Sequence, residues 1–220
     1  MQLIADLHAE HDLIEQVLGS LRAFVTARLS GGGDPADGAW FLAFFRHYAG
    51  TFHHDKEEAV LFRALVERAE LPAERGPIPA LTGEHHRMGG LLDGLAELLD
   101  SPLAAEADRL RLQELAVAYS RSLWQHIDAE NSVMFPESRE RLRRFHVLDL
   151  PSRPMTDTEA AAREAGLDLI IRYPPEHDAE VHRGDGCIAC PSYGKTCDGL
   201  EMEWWTDLEW EEVWERSDGD

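Results

Sequence analysis

Phe52-His53-His54-Asp55-Lys56-Glu57-Glu58-Ala59-Val60-Leu61-Phe62 and Gln125-His126-Ile127-Asp128-Ala129-Glu130-Asn131-Ser132-Val133-Met134-Phe135 are two versions of one segment. His53 falls on His126 and Glu57 on Glu130, and Val60, Leu61 and Phe62 fall on Val133, Met134 and Phe135 at the same offset of 73 residues. The register therefore rests on several positions and marks an internal repeat. At nearly the same offset, Glu10-His11 matches Glu84-His85, and Leu18 matches Leu92. The chain reads as two cognate halves, each with one matched histidine followed by a His-x-x-x-Glu segment.

The hydrophobic pattern places both segments on helices. Leu7, Ile14, Leu18, Leu21 and Val25 recur at three- and four-residue steps, the period of a helix with one buried face, over residues 3–29. Gly31-Gly32-Gly33 ends it, and Asp34-Pro35 opens a second run over residues 40–70. Pro72, Gly76 and Pro79 read as a connection, with Thr82 capping a third helix over residues 83–99. A fourth, over residues 103–144, is expected to turn Leu110, Leu115, Ala118, Leu123 and Met134 inward. The expected fold is all-α, an antiparallel up-down-up-down four-helix bundle over residues 1–150. Residues 151–220 read as an irregular accessory extension with one short helical candidate, residues 158–165.

On a helix, residues four apart lie one turn apart on the same face, with Cβ atoms about 5–6 Å apart, so His53 with Glu57 and His126 with Glu130 can each reach one site. His11 and His85 add an imidazole from each remaining helix. Four imidazoles and two carboxylates are a two-metal ligand set, suited to iron, manganese or zinc, and a carboxylate can bridge two cations. His8, His54 and His86 have no counterpart in the other half and are left out of the set. His47 falls nearly opposite His53 on its helix, and Glu58 reads as a solvated charge. Six buried polar groups without partners would cost several kcal/mol, a cost that bound metal removes.

These residues resemble the hemerythrin-like proteins of the HHE cation-binding type over roughly residues 3–145. His53-x-x-x-Glu57-Glu58-x-x-Leu61-Phe62 and His126-x-x-x-Glu130-Asn131-x-x-Met134-Phe135-Pro136 look like that family's two ligand motifs. Glu10-His11 and Glu84-His85 look like its other two positions. The resemblance implies a non-haem centre of two iron ions held by His11, His53, Glu57, His85, His126 and Glu130, which meets dioxygen, peroxide or nitric oxide. The oxygen carriers of the family have a second histidine four residues along their third helix, where this chain has Gly89, and a last carboxylate from Asp five residues after its histidine. The 4-His/2-Glu set is more similar to the repair-of-iron-centres proteins, which carry an N-terminal cysteine-containing domain. It implies, as further readings, iron handling with a protein partner or an oxygen-activating enzyme.

The extension carries all three cysteines of the 220-residue chain. Cys187, Cys190 and Cys197 with His182 upstream form a candidate zinc loop, the alternative being three reduced thiols. Residues 198–220 hold ten acidic residues against one basic, yet include Trp204, Trp205, Trp210 and Trp214, which suits docking on the bundle or on a protein partner. A net charge of −21 repels nucleic-acid phosphates and anionic membrane surfaces. No run approaches the roughly 20 apolar residues that span a bilayer, and no leader is apparent, so the expected location is cytoplasmic.

Overall fold

Helix α1 (Gln2–Leu29) buries Leu3, Ile4, Leu7, Ile14, Leu18, Leu21 and Val25 along one stripe, as the periodicity requires. It is the first of five helices in the computed structural model, which describes residues 1–178 and residue 181. Helix α2 (37–69) is continuous but unevenly wound. Asp37–Ala43 and Arg63–Ala69 are α-helical, whereas Phe44–His54 and Glu57–Phe62 are wound wider, as π-helix. Helix α3 spans Pro77–Ala96. Helix α4 (106–144) joins Glu106–Ala129, a π-wound Glu130–Met134 and Phe135–Arg144. Helix α5 is Asp157–Arg172. Among the described residues there is no strand, and no helix is long and apolar enough to cross a membrane.

The structure departs from the sequence expectation at the start of α3, in the buried stripe of α4 and in the length of α5. Helix α3 begins at Pro77, ahead of Gly83, because its prolines occupy the first turn, where the fixed φ suits a helix and the missing N–H would have no partner. Thr82 therefore lies inside α3 and caps nothing. On α4 the inward stripe is Leu112, Ala116, Tyr119 and Leu123, whereas Leu110 is 52% exposed, Ala118 is exposed and Leu115 half-buried. The alternation of leucines at 110, 112 and 115 offers two overlapping stripes, and the one that continues through His126, Glu130 and Met134 is buried. Helix α5 is also longer than residues 158–165. Thr156 and Glu159 form a reciprocal capping box at its start, each side chain taking up the other's backbone N–H.

The apolar side chains form two clusters. The larger joins Ile14 to Val25 of α1, Phe41 to Phe52 of α2, Met88 to Leu95 of α3 and Leu112 to Ile127 of α4, and takes in Ala162 and Leu169 of α5. The smaller joins Leu3, Ile4 and Leu7 with Leu61 to Ala69, Leu81, and Met134 to Leu142. Between them, on each of the first four helices, lie buried polar residues: Glu10 and His11, then His53, Lys56 and Glu57, then His85, then His126 and Glu130. The candidate site is a polar layer between two apolar ones.

Helix α5 and the chain after it are fastened to this body. A Cβ at Gly166 would lie 2.4 Å from Phe44 Cδ2, so only glycine allows so close an approach. Buried Asp37 accepts from the Tyr173 hydroxyl at 2.6 Å and pairs with Arg172. Asp178 takes both Arg22 and Arg121 at 2.8 Å. The calls on the cysteine loop (His182, Cys187, Cys190, Cys197) and on the tryptophan-rich tail lie outside the described residues.

The Arg153 guanidinium donates to both oxygens of Glu159, at 2.7 and 2.8 Å, and to the Thr51 carbonyl at 3.0 Å. Its hydrogen bonds hold the Glu159 carboxyl down at about 2. A depressed carboxyl stabilises the fold above its unfolded value of 4.5, and that contribution is lost as pH falls through about 2. Glu159→Gln is therefore expected to destabilise the protein by about 1–3 kcal/mol at neutral pH and much less near pH 2, measured by urea unfolding. Gly166→Ala should cost a similar ~1–3 kcal/mol through overpacking against Phe44.

Candidate metal centre

The layer between the two cores brings together all six residues singled out by the repeat. The ligand atoms of His11, His53, Glu57 and Glu130 lie within 4.8 Å of one another, and so do those of His54, Glu57, His85 and His126. Glu57 belongs to both groups. Its Oε1 faces His53 Nε2 at 3.2 Å and His11 Nε2 at 3.8 Å, while its Oε2 faces His85 Nε2 at 3.6 Å. Glu130 Oε2 likewise lies 3.3 Å from His11 Nε2 and 3.2 Å from His126 Nε2. Each carboxylate stands between the two groups, the arrangement from which a carboxylate bridges two cations.

Every one of the four matched histidines is oriented from behind. His53 Nδ1 donates to Glu10 at 2.9 Å, His126 Nδ1 to Glu84 at 2.9 Å, His85 Nδ1 to Glu58 at 2.6 Å and His11 Nδ1 to Asn131 at 2.8 Å. Donation through Nδ1 leaves the Nε2 lone pair facing inward, which is how outer-shell partners fix the tautomer of a metal-binding imidazole. The partners obey the repeat. The glutamate preceding the first-helix histidine, Glu10 or Glu84, holds the histidine of the next helix. The residue following each inward glutamate, Glu58 or Asn131, holds the first-helix histidine of the other half.

Among the described residues nothing satisfies the centre of this layer. His11 Nε2 and all four carboxylate oxygens of Glu57 and Glu130 are buried without a hydrogen-bond partner. His85 Nε2 and His126 Nε2 face each other at 2.9 Å, two lone pairs once both Nδ1 atoms carry the protons. Burial raises the Glu130 carboxyl well above the usual range, and the neighbouring Glu57 charge adds to this. Burial also acts to raise Glu57, but the His53, His85 and His54 imidazoles outweigh it and hold it well below. His53 is pulled down by burial yet pushed up to about 9 by Glu57 and Glu10, whereas burial keeps His11 and His126 below their ordinary value. Inward lone pairs and unpartnered carboxylates suit a cation. Imidazole with carboxylate, and no thiolate among the described residues, suits a first-row divalent metal.

Two residues differ from the sequence reading. His54, set aside because the other half has no matching histidine, stacks on His85 with ring centroids 3.9 Å apart and planes 10° apart. Glu58 is not a solvated charge but the acceptor for His85. In the sequence the outer partners Glu10, Glu58, Glu84 and Asn131 are only neighbours of the matched residues, and their roles appear once the halves pack together. His47 lies away from the layer, beside Trp40 and α5.

Wide winding, which on α2 begins at Phe44, resumes at Glu57, and on α4 it begins at Glu130, the cognate carboxylate. π-turns cost helix stability and recur at functional sites, where they re-aim side chains. Behind His53, Lys56 is 1% exposed, pairs with Glu10 and lies 4.2 Å above the Phe52 ring.

Glu10→Ala removes the acceptor for His53 and leaves the Lys56 ammonium buried without its anion. It should destabilise the protein by about 3–5 kcal/mol in urea unfolding. Glu84 sits at the rim, so Glu84→Gln should change stability by less than about 1 kcal/mol while weakening cation affinity roughly 10–100-fold, read by metal titration.

No curated protein and no solved structure matches the chain. The family model of the hemerythrin HHE cation binding domain matches residues 2–138, which span α1 to α3 and nearly all of α4 and contain every residue of the layer. The chain belongs to the hemerythrin HHE cation-binding family.

Proposed function

We propose that α1 to α4 form an antiparallel up-down-up-down bundle holding two iron ions through His11, His53, Glu57, His85, His126 and Glu130. The centre binds or reacts with dioxygen, peroxide or nitric oxide. The observation that carries this reading is the pair of donor groups that share Glu57, with Glu130 facing a histidine of each. Bound iron supplies positions for a small ligand and electrons to exchange with it.

The protein's own residues set the conditions for that chemistry. Glu10, Glu84, Glu58 and Asn131 hold the protons on the four Nδ1 atoms and keep the Nε2 atoms as donors. The His11–His53 side is sealed, both imidazoles being 1% exposed, whereas His54 and Glu58 on the other side are half-buried. Beside Glu58 and Phe62 a shallow cavity of about 280 Å³ opens between α2 and α3. The ligand set ends at Glu130, so the chain from residue 151 is assigned an accessory role.

Anaerobic reconstitution with ferrous iron should load two ions per chain, and adding azide, nitric oxide or dioxygen should change the absorption spectrum. His53→Ala and His126→Ala should each lower the iron content sharply. Loading of one ion, or full loading in both variants, would overturn the two-ion assignment. A spectrum indifferent to all three molecules would overturn the small-ligand assignment. Uptake should also weaken as pH falls, because protons compete for the same nitrogens.

A further inference from the structure

We infer that Lys56 is a positioning residue that acts through Glu10 on His53 and makes the iron ion on the His11–His53 side the harder of the two to oxidise. The inference rests on the two-ion reading above.

The inner ligands do not tell the two sides apart. Each side has two matched imidazoles, and Glu57 and Glu130 each face a histidine of both. The outer partners do tell them apart. Behind the His85–His126 side stand two carboxylates, Glu58 on His85 at 2.6 Å and Glu84 on His126 at 2.9 Å. Behind the His11–His53 side stand the neutral amide of Asn131 and one carboxylate, Glu10, whose oxygens are divided. Its Oε2 accepts from His53 Nδ1 and its Oε1 from the Lys56 ammonium. Two carboxylates therefore back one ion, whereas the single carboxylate behind the other is balanced by a cation. Water screens Glu58, Glu84 and the Arg87 that pairs with Glu84 in part, but it does not screen Lys56, which is 1% exposed.

The fold does not need a lysine at this position. Its cognate in the other half is Ala129, which is equally buried, so the same helical site packs without a cation. Taking an ammonium out of water costs several kcal/mol before its partner offsets it, and a charge kept at that cost points to a role in the field around the centre. The enclosure is built from both parts of the chain. Lys56 Nζ lies 4.2 Å from the centre of the Phe52 ring, and the Arg153 guanidinium, anchored on Glu159, lies 5.1 Å from the same ring.

The direction of the effect follows from charge. Oxidation removes one electron from a ferrous ion and raises its charge by one. A carboxylate behind a ligating imidazole makes it a stronger donor and favours the higher charge. Lys56 occupies one oxygen of Glu10 and sets a positive charge beside it, so His53 donates less and the added charge is repelled. The ion on the His85–His126 side gives up its electron first, and the ion on the His11–His53 side stays ferrous to higher potential.

The test is a redox titration of the full chain, loaded anaerobically with two ferrous ions and oxidised stepwise by mediator dyes that accept the electrons. Electron paramagnetic resonance measures the form with one electron removed, and circular dichroism checks helicity. The parent should oxidise in two one-electron steps. Lys56→Met keeps the length of the side chain without its charge, and Lys56→Gln can still donate to Glu10. In both, the second step should move to lower potential, and the constant favouring the one-electron-oxidised form should fall about tenfold, equivalent to about 59 mV. Lys56→Arg should keep the parental gap, and Glu84→Gln should narrow it from the other side by raising the first step. A parental gap in whichever of Lys56→Met and Lys56→Gln keeps its helicity would overturn the inference and leave the two-ion reading standing. Equal narrowing in Lys56→Arg, or an unmoved first step in Glu84→Gln, would do the same. So would loss of an ion from a folded Lys56→Met, because removing one cation does not weaken the attraction for another. A parent protein that takes fewer than two ions would overturn the reading itself, and the inference with it.

Discussion

Glu57 and Glu130 are enclosed between two hydrocarbon layers, and among the described residues none of their four oxygens has a hydrogen-bond partner. A carboxylate in such surroundings carries a desolvation penalty of several kcal/mol even after relaxation, and two within reach of each other add mutual repulsion. The rest of the site follows from this constraint. Imidazoles crowd around the pair with their lone pairs inward, and their protons are drawn outward by Glu10, Glu58, Glu84 and Asn131. Positive charge in the middle of the layer is the one arrangement that relieves the carboxylates and the facing Nε2 atoms together. The apolar clusters above and below keep water from doing so instead.

The repeat gives this site its economy of design. Each half provides a histidine, a second histidine with its glutamate, and two outer partners, one used within the half and one lent across. Several positions depart from the symmetry. Lys56 stands against Ala129, Glu58 against Asn131 and His54 against Ile127, with the more polar residue on the second helix, whereas Gln125 and Ser132 of the fourth stand against Phe52 and Ala59. The more open face of the layer, at His54 and Glu58, is built from the polar members.

Much of this could be read from the chain before any coordinates. A period of three and four residues needs no tertiary information, so α1 and the reach of α2 follow from the leucines and valines alone. The six inward residues followed from matching two short segments, because a repeated ligand must have a repeated partner. The same argument sets His54 aside, since symmetry says nothing of a residue present in one half alone, and its stacking on His85 shows only in the fold. Pro77 and Pro79 were read as a break although a first turn accepts them, and Thr156 with Glu159 was a legible capping box passed over in a proline-rich stretch. The stripe on α4 was misread at Leu110 and Ala118 because a helix with apolar residues on two faces takes its inward side from its neighbours. The roles of Glu58 and Asn131 depend on contacts between halves, which no local pattern encodes.

The outer hydrogen bonds also differ in how far along the chain they reach. Those to His85, His126 and His53 join residues 27, 42 and 43 positions apart, while the one from Asn131 to His11 closes a loop of 120. Closing a longer loop costs more chain entropy, and contacts between distant residues form late when folding follows topology. In kinetic terms, three of the four imidazoles can be set by contacts within a hairpin or between neighbouring helices. The first histidine of the sequence acquires its orientation only when the last of the four helices returns to it. A chain emerging from synthesis would carry His11 through 120 further residues before the one that aims it exists.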